Sequence, residues 1–526
     1  MRKYSFLLFL AVFAFCQNSD PNDPPVVKIG RSSISQSNFE IFSNTVWRAP
    51  TIPDPYFPGS RSRITQMVET EAIYRSLPKA FKDEVRNSLE WKWRERFYLG
   101  HNYLDEIINS NLGATDEEVR NYYDENLEKF QRVLKNNDGS ESVVQEPFHE
   151  VRRNVVSSLF LQNFPPDSAF LAQISADSAL DSSVIKSRWL YSVRTDIRGF
   201  FLDRVYYEKY GEKLSDSLDN LIGPDKIITP EDMAIIRHWW ERRAQREAQD
   251  KELAEWLLTW KLFSERARRE GYDRRDDIQQ TLEWAWKVEC SRAFVSNHLV
   301  PDFKSNLEID TTLALYSFYD RSGNTTAPDS AQLAREITQM INTKISVKVD
   351  SAVHEIRNQY RIEFLQADWK DNLDENPQQI LARADSLSQT GNMDKAARVY
   401  QELISNFLFT EEGKRALVER AKINIENRKF LDAVRNYRKY QIINSAGDCN
   451  SFFMIGFIYD ENLRNPALAE VNYQWVLKNT PDCDLAHDTE FMLLHLDEQM
   501  SSVTIEELQA QTARQNRKFD FEELDL

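Results

Sequence analysis

The sequence predicts a mainly α-helical protein in which one helix-rich module is written twice and followed by a helical solenoid. Three observations predict it. Glycine supplies only 14 of 526 residues, well below the usual share of about 7%, so glycine-rich loops and tight hairpin turns are scarce. Phe81, Val85, Leu89, Trp93 and Phe97 recur every fourth residue and continue to Leu104 and Ile108, the stripe of an amphipathic helix. Ala-x-x-x-Tyr recurs at Ala396/Tyr400, Ala433/Tyr437 and Ala469/Tyr473, steps of 37 and then 36 residues, as stacked helix pairs require.

The duplication rests on matches that keep their order. SLEWKW at 88–93 returns as TLEWAW at 281–286, an offset of 193. Ile29-Gly30 and Ile34 answer to Ile222-Gly223 and Ile228, Tyr123-Asp124 to Tyr319-Asp320, and the run from His149 to the run from His354. The offset stays at 193–194 through the first matches and then rises to 196 and 205, as insertions in the second copy would produce. Residues 26–162 and 219–366 therefore read as two copies. Between them, 163–218 hold Pro165-Pro166 and the aromatic run GFFLDRVYYEKYGEK, which predicts a helix near Phe201–Tyr210 and carries no assigned role.

In the second copy Ile278, Leu282, Trp286 and Cys290 take the stripe positions, so Cys290 stands where the first copy has Phe97. A buried, inert thiol is the expectation. Trp91 and Trp284 lie two residues off the stripe, about 200° around the helix, and point away from the core-facing side. They either pack on a neighbouring helix or the other copy, or serve as client-binding anchors for an apolar partner.

Charge and the N-terminus bound the setting. The chain has 66 basic and 83 acidic residues, net −17, which repels a phosphate backbone and excludes nucleic acid as an expected partner. Arg2 and Lys3 precede SFLLFLAVFAF, too short to span a bilayer and suited to a signal peptide. The run stops at Cys16, before QNSDPNDPP, and resembles a bacterial lipoprotein signal. Residues 1–16 are then the signal and 17–25 a linker, and the resemblance implies lipidation at Cys16, export to the periplasm and, with Gln17 following, an outer-membrane anchor. The other reading is an ordinary secretory signal cut nearby, since Phe15 is larger than the lipoprotein pattern takes. Beyond this segment no apolar run approaches the length of a membrane span.

ATDEEVRNYYDENLEKF at 114–130 and EPFHEVRRNVV from Glu146 resemble the segments that flank the isomerase domain in SurA-type and other parvulin-type periplasmic folding factors, and LFSERARREGYDRRDDIQQTLE at 262–283 is similar to their helical chaperone part. Only Gln131–Gln145 stand where a parvulin core of about 90 residues would lie, and about 30 residues in the second copy, below the size that folds alone. The resemblance thus implies a chaperone scaffold without the prolyl isomerase. His149 and His354 open HE pairs that do not continue as HExxH, so both read as structural. No nucleotide-binding glycine loop and no CxxC occurs, and the sequence assigns no catalytic residue, metal or cofactor.

Residues 378–495 resemble a tetratricopeptide array, whose repeat is about 34 residues; Gly391, MIGFIYDE and Pro481 add to the resemblance. Such arrays bind protein segments on a concave face, unless this one only caps the module before it. Cys449 opens the first helix of repeat three and Cys483 follows its second. They are either a disulfide, worth roughly 3–4 kcal/mol in the chain-entropy model, or two thiols. Residues 496–526 form an acidic tail.

The expected function is a non-catalytic, chaperone-like lipoprotein that holds unfolded or assembling envelope proteins and docks a protein partner on its repeat array. It would touch the membrane through its lipid only. A structural scaffold of an envelope or secretion complex is the alternative, and a divergent peptidyl-prolyl isomerase the third.

Overall fold

The computed structural model describes residues 23–48, 62–112, 115–135, 141–146, 148–166, 182–214, 221–224, 226–244, 249–365, 376–444 and 448–502. The protein is mainly helical. Cys16 and the signal segment lie outside the described residues, as does most of the acidic tail. The chain divides into two compact units, one within 1–54, 62–294 and 356–370, the other within 55–61, 295–355 and 371–526.

The first unit opens with the hairpin β1 (Pro25–Ile29) and β2 (Ser32–Ser35), followed by α1 (Gln36–Arg48), α2 (Arg63–Ser76), α3 (Lys79–Asn87) and α4 (Leu89–Asn111). The apolar stripe from Phe81 to Ile108 therefore belongs to two helices and not to one. Ser88 is extended and caps α4, its hydroxyl accepting the Trp91 N–H at 3.1 Å while donating to Val85 O at 2.7 Å. A serine at that place satisfies the orphan donors of the next helix better than it continues the last one.

Next come α5 (Asp116–Glu125), the hairpin β3 (Gln131–Lys135) and β4 (Glu141–Gln145), α6 (Phe148–Asn163) and α7 (Ser182–Tyr210). Thr115 and Glu118 make a reciprocal capping box at the start of α5. Val119, Tyr122, Tyr123, Phe130, Val151 and Val155 close a small core between α5 and α6, and the Tyr123 hydroxyl donates to Glu146 O at 2.6 Å. The unit ends with α8 (Pro230–Ala244), α9 (Asp250–Arg269), α10 (Asp276–Phe294) and β5 (Ile362–Phe364). The three-stranded sheet runs β2-β1-β5, antiparallel throughout, with Val27 opposite both Ile34 and Phe364.

The two stretches that share the Leu-Glu-Trp-x-Trp motif exchange partners. α4 packs on α8 and α9: the Trp93 indole N–H donates to Asp232 Oδ1 at 2.5 Å, Arg94 lies over the Trp239 ring, and Phe97 meets Trp260 edge-on at 4.9 Å. α10 packs on α1 and α2: Trp284 meets Phe42 edge-on at 5.1 Å, and the Ser291 hydroxyl donates to Thr70 O at 3.1 Å. The two motif helices also meet each other, Trp91 against Trp286 at 4.7 Å. The closing strand β5, from the second stretch, completes the sheet of the first.

The second unit contains α11 (Val300–Ser305), α12 (Thr311–Ser322) and α13 (Ser330–Asn358), then the helix pairs α14 (Pro377–Gln389) with α15 (Met393–Asn406), α16 (Glu411–Glu426) with α17 (Phe430–Ile443), and α18 (Cys449–Phe457) with α19 (Pro466–Asn479), and finally α20 (Ala486–Ser502). Ala396, Tyr400, Ala433, Tyr437, Ala469 and Tyr473 are all buried, the small residue allowing close approach and the ring filling the next layer. Gly456 shows the constraint directly: a Cβ there would stand 2.6 Å from the Tyr473 ring.

α12 and α13 lie against these pairs. Leu313, Ala314 and Met340 share a core with Phe452 and Val476, and the His354 ring packs on Phe409 at 5.0 Å, a structural setting. Arg438 of α17 ties the layers together, its guanidinium donating to Asp320 at 2.7 Å, Gln441 at 2.7 Å and Asn472 at 3.0 Å.

The closest helix approach in the first unit gives a stability prediction. A Cβ on Gly100 of α4 would stand 2.8 Å from Trp260 O in α9, so Gly100→Ala is expected to destabilise the protein by roughly 1–3 kcal/mol. Gly199→Ala, in α7 with nothing within 4 Å, should instead stabilise by up to about 1 kcal/mol. Thermal melts of the two variants beside the parent check both signs.

Candidate functional site

Trp91 and Trp284 are not exposed anchors. They are only 6% and 3% accessible, which corrects their reading as client-binding residues in favour of packing. A helical wheel assumes one neighbour on one side, whereas α4 has α9 on one flank and α10 on the other, and a helix enclosed in this way is apolar on several faces. Trp284 is held further by its indole N–H, which donates to Asn38 Oδ1 at 3.2 Å, and by Lys287 over its ring.

Under the Trp91–Trp286 contact lies a buried ionic group. Glu289 Oε2 is 2.6 Å from Arg94 Nε and 2.5 Å from an Arg292 nitrogen. Burial alone would push the Glu289 carboxyl up, but the Arg292 and Arg94 guanidiniums outweigh it and hold the carboxyl below its ordinary value. Burial and the like charge of Arg292 pull Arg94 down to about 10. Next to it, Cys290 is fully buried, and burial pushes its thiol up to about 12. That leaves no thiolate for chemistry near neutrality. The cluster is structural: each charge has an opposite partner, with Arg94 and Glu289 buried and Arg292 half-buried.

Cys449 and Cys483 are both half-buried thiols in the core that holds Phe452, Val476 and Trp475. Among the described residues, no group of three or more His, Cys, Asp or Glu side chains is arranged to hold a metal ion, and no helix is long and apolar enough to cross a membrane.

Among the described residues of the first unit, the most exposed aromatic rings lie on α7. Leu202, Val205 and Tyr206 bury one face of this helix, and salt bridges pin its length: Arg194 to Asp105 at 2.8 Å, Lys209 to Glu265, and Arg266 to Glu208 at 3.3 Å. On the other side Phe200 and Tyr207, seven residues apart and so on one face, are 65% and 58% exposed. The Arg204–Glu208 ion pair stands beside them. Tyr191, also strongly exposed, faces another way. Phe200 and Tyr207 come from the aromatic run that the sequence left without a role. Their density was the only available signal, because the pattern alone does not say which ring is buried. The hairpin β3–β4 leaves Val143 and Val144 exposed.

The ionic group generates a pH prediction. Glu289 is held below its ordinary value of 4.5 in the folded chain, so its stabilisation is complete above about pH 4.5 and is lost as the pH falls through the lower, folded value. Glu289→Gln leaves the buried Arg94 and the half-buried Arg292 without their carboxylate and is expected to cost roughly 3–5 kcal/mol near neutrality. Melting curves of parent and variant, taken from about pH 7 downward, should converge in acid.

Compared with family models and with curated proteins, the chain matches none.

Proposed function

We propose that the protein is a non-catalytic, chaperone-like binding protein of the cell envelope. In this reading the first unit is a SurA-like scaffold and the helix pairs of the second are tetratricopeptide repeats. Apolar segments of unfolded or assembling envelope proteins rest on the Phe200/Tyr207 face of α7, and a protein partner engages the repeat array. The exposed aromatic face is the observation that carries the reading. Large apolar side chains grouped on a well-anchored helix are costly to leave in water unless they meet something, and the Arg204–Glu208 pair beside them keeps the face soluble between encounters. The interval reserved for an isomerase holds ten strand residues in a hairpin, which supports binding without catalysis. Cys16 supplies the lipid anchor, and export places the chain in the periplasm.

A second reading, a dedicated scaffold of an envelope or secretion complex, draws on a different observation. The helix pairs already carry α12 and α13 of their own unit, through Asp320 and the core around Leu313 and Phe452. An array that holds its own helices acts as a rigid support.

The deciding measurement is light scattering from an unfolded outer-membrane barrel protein diluted into buffer with the chain lacking residues 1–16. Suppression of aggregation is expected, with loss of most of it in a Phe200→Ser/Tyr207→Ser variant of unchanged circular dichroism. No suppression by the parent leaves the scaffold.

A further inference from the structure

We propose that Cys449 and Cys483 form a disulfide site that latches the α18–α19 pair and, with it, the seat of α12 and α13. The inference does not depend on the chaperone reading. Cys449 is the first residue of α18, whose start is fixed by Asp448 accepting the Ser451 N–H at 3.1 Å. Cys483 lies four residues past the end of α19 in a turn fixed by Cys483 N–H to Thr480 O at 3.1 Å and Ala486 N–H to Cys483 O at 2.9 Å. Both thiols are therefore carried by hydrogen-bonded backbone at the same end of one helix pair. They share an apolar cluster, and the Cys483 thiol lies near enough to act on the proton equilibrium of Cys449.

Position gives the bond its effect. The same cluster contains Phe452, stacked on Trp475 at 3.5 Å, together with Leu313 and Ala314 of α12 and Met340 of α13. A bond from the start of α18 to the end of α19 encloses the whole pair in one loop, which restricts the unfolded chain far more than the folded one. Opening of the pair, and release of α12 and α13 from it, then becomes rarer in the oxidised chain. Cys290 offers the contrast: it is fully buried in the other unit.

The chemistry needs an oxidant of the disulfide class, for which oxidised glutathione is the probe. One cysteine, as thiolate, attacks a glutathione sulfur and expels one glutathione thiolate. The second cysteine, also as thiolate, attacks the mixed disulfide and expels the other. Two protein thiols lose two protons and two electrons, and one oxidised glutathione becomes two reduced ones. Burial pushes the Cys449 thiol up to about 11, so the exchange is slow near neutrality and accelerates as the pH rises.

The test uses the chain lacking residues 1–16, equilibrated in mixed oxidised and reduced glutathione, quenched in acid, alkylated and mapped by mass spectrometry, with limited proteolysis of the same samples. The expected result is one linked peptide joining Cys449 to Cys483, Cys290 alkylated only after unfolding, and cleavage between α18 and α19 slowed several-fold. Cys449→Ser and Cys483→Ser should each abolish the link and the protection. Alkylation of both residues throughout, or glutathione adducts without a link, overturns the site. A link without slower cleavage overturns the latch.

Discussion

The meeting of the two Leu-Glu-Trp helices governs the main helical core of the first unit, since α1, α2, α8 and α9 each pack on one or the other. Trp91 lies edge-on to Trp286, and Arg94 reaches Glu289 beneath them. Removing the carboxylate strands the buried Arg94 guanidinium and its half-buried neighbour Arg292, and removing an indole opens a cavity of the most expensive kind. Gly100 sets how near α4 comes to α9, because only a residue without Cβ lets the Trp260 carbonyl in so closely. The exchange of helices between the two stretches follows from these contacts. Each motif helix finds its cover in the other stretch, and neither stretch buries its tryptophans alone.

A comparable role in the second unit falls to Arg438. Its guanidinium is buried, and it joins α17 to Asp320 in α12 and to Asn472 in α19, while Tyr459 donates to the same carboxylate at 3.0 Å. A charge placed there is tolerated only with all its donors occupied, so the helix pairs and α12 are mutually dependent. This explains how the last helix pair shares a core with helices from much earlier in the chain.

Among the described residues, Trp91, Trp93, Trp239, Trp260, Trp284 and Trp286 of the first unit are all buried and serve internal order. The most exposed rings described in that unit stand on α7, whose inner face is apolar and whose flanks are tied by ion pairs. Rigid support beneath exposed rings lowers the ordering cost of binding another chain. That combination connects the packing of α7 to the proposed capture of apolar segments.

Much of this was legible in the sequence. Scarce glycine and fourfold apolar spacing determined the helical class, the Ala-x-x-x-Tyr period determined which small and aromatic residues would be buried, and the repeated motif determined that Cys290 would replace a core residue. These are local properties, fixed by the geometry of a single helix. The break at Ser88 was harder, since capping and continuation compete at one residue. Which side of α4 needed cover was not local at all: Trp93 finds Asp232 139 residues away, and Trp284 finds Asn38 246 residues away. Only the tertiary structure decided that Trp91 and Trp284 are core and that Phe200 and Tyr207 face water, because exposure depends on how many neighbours a helix acquires, and a sequence period records only one.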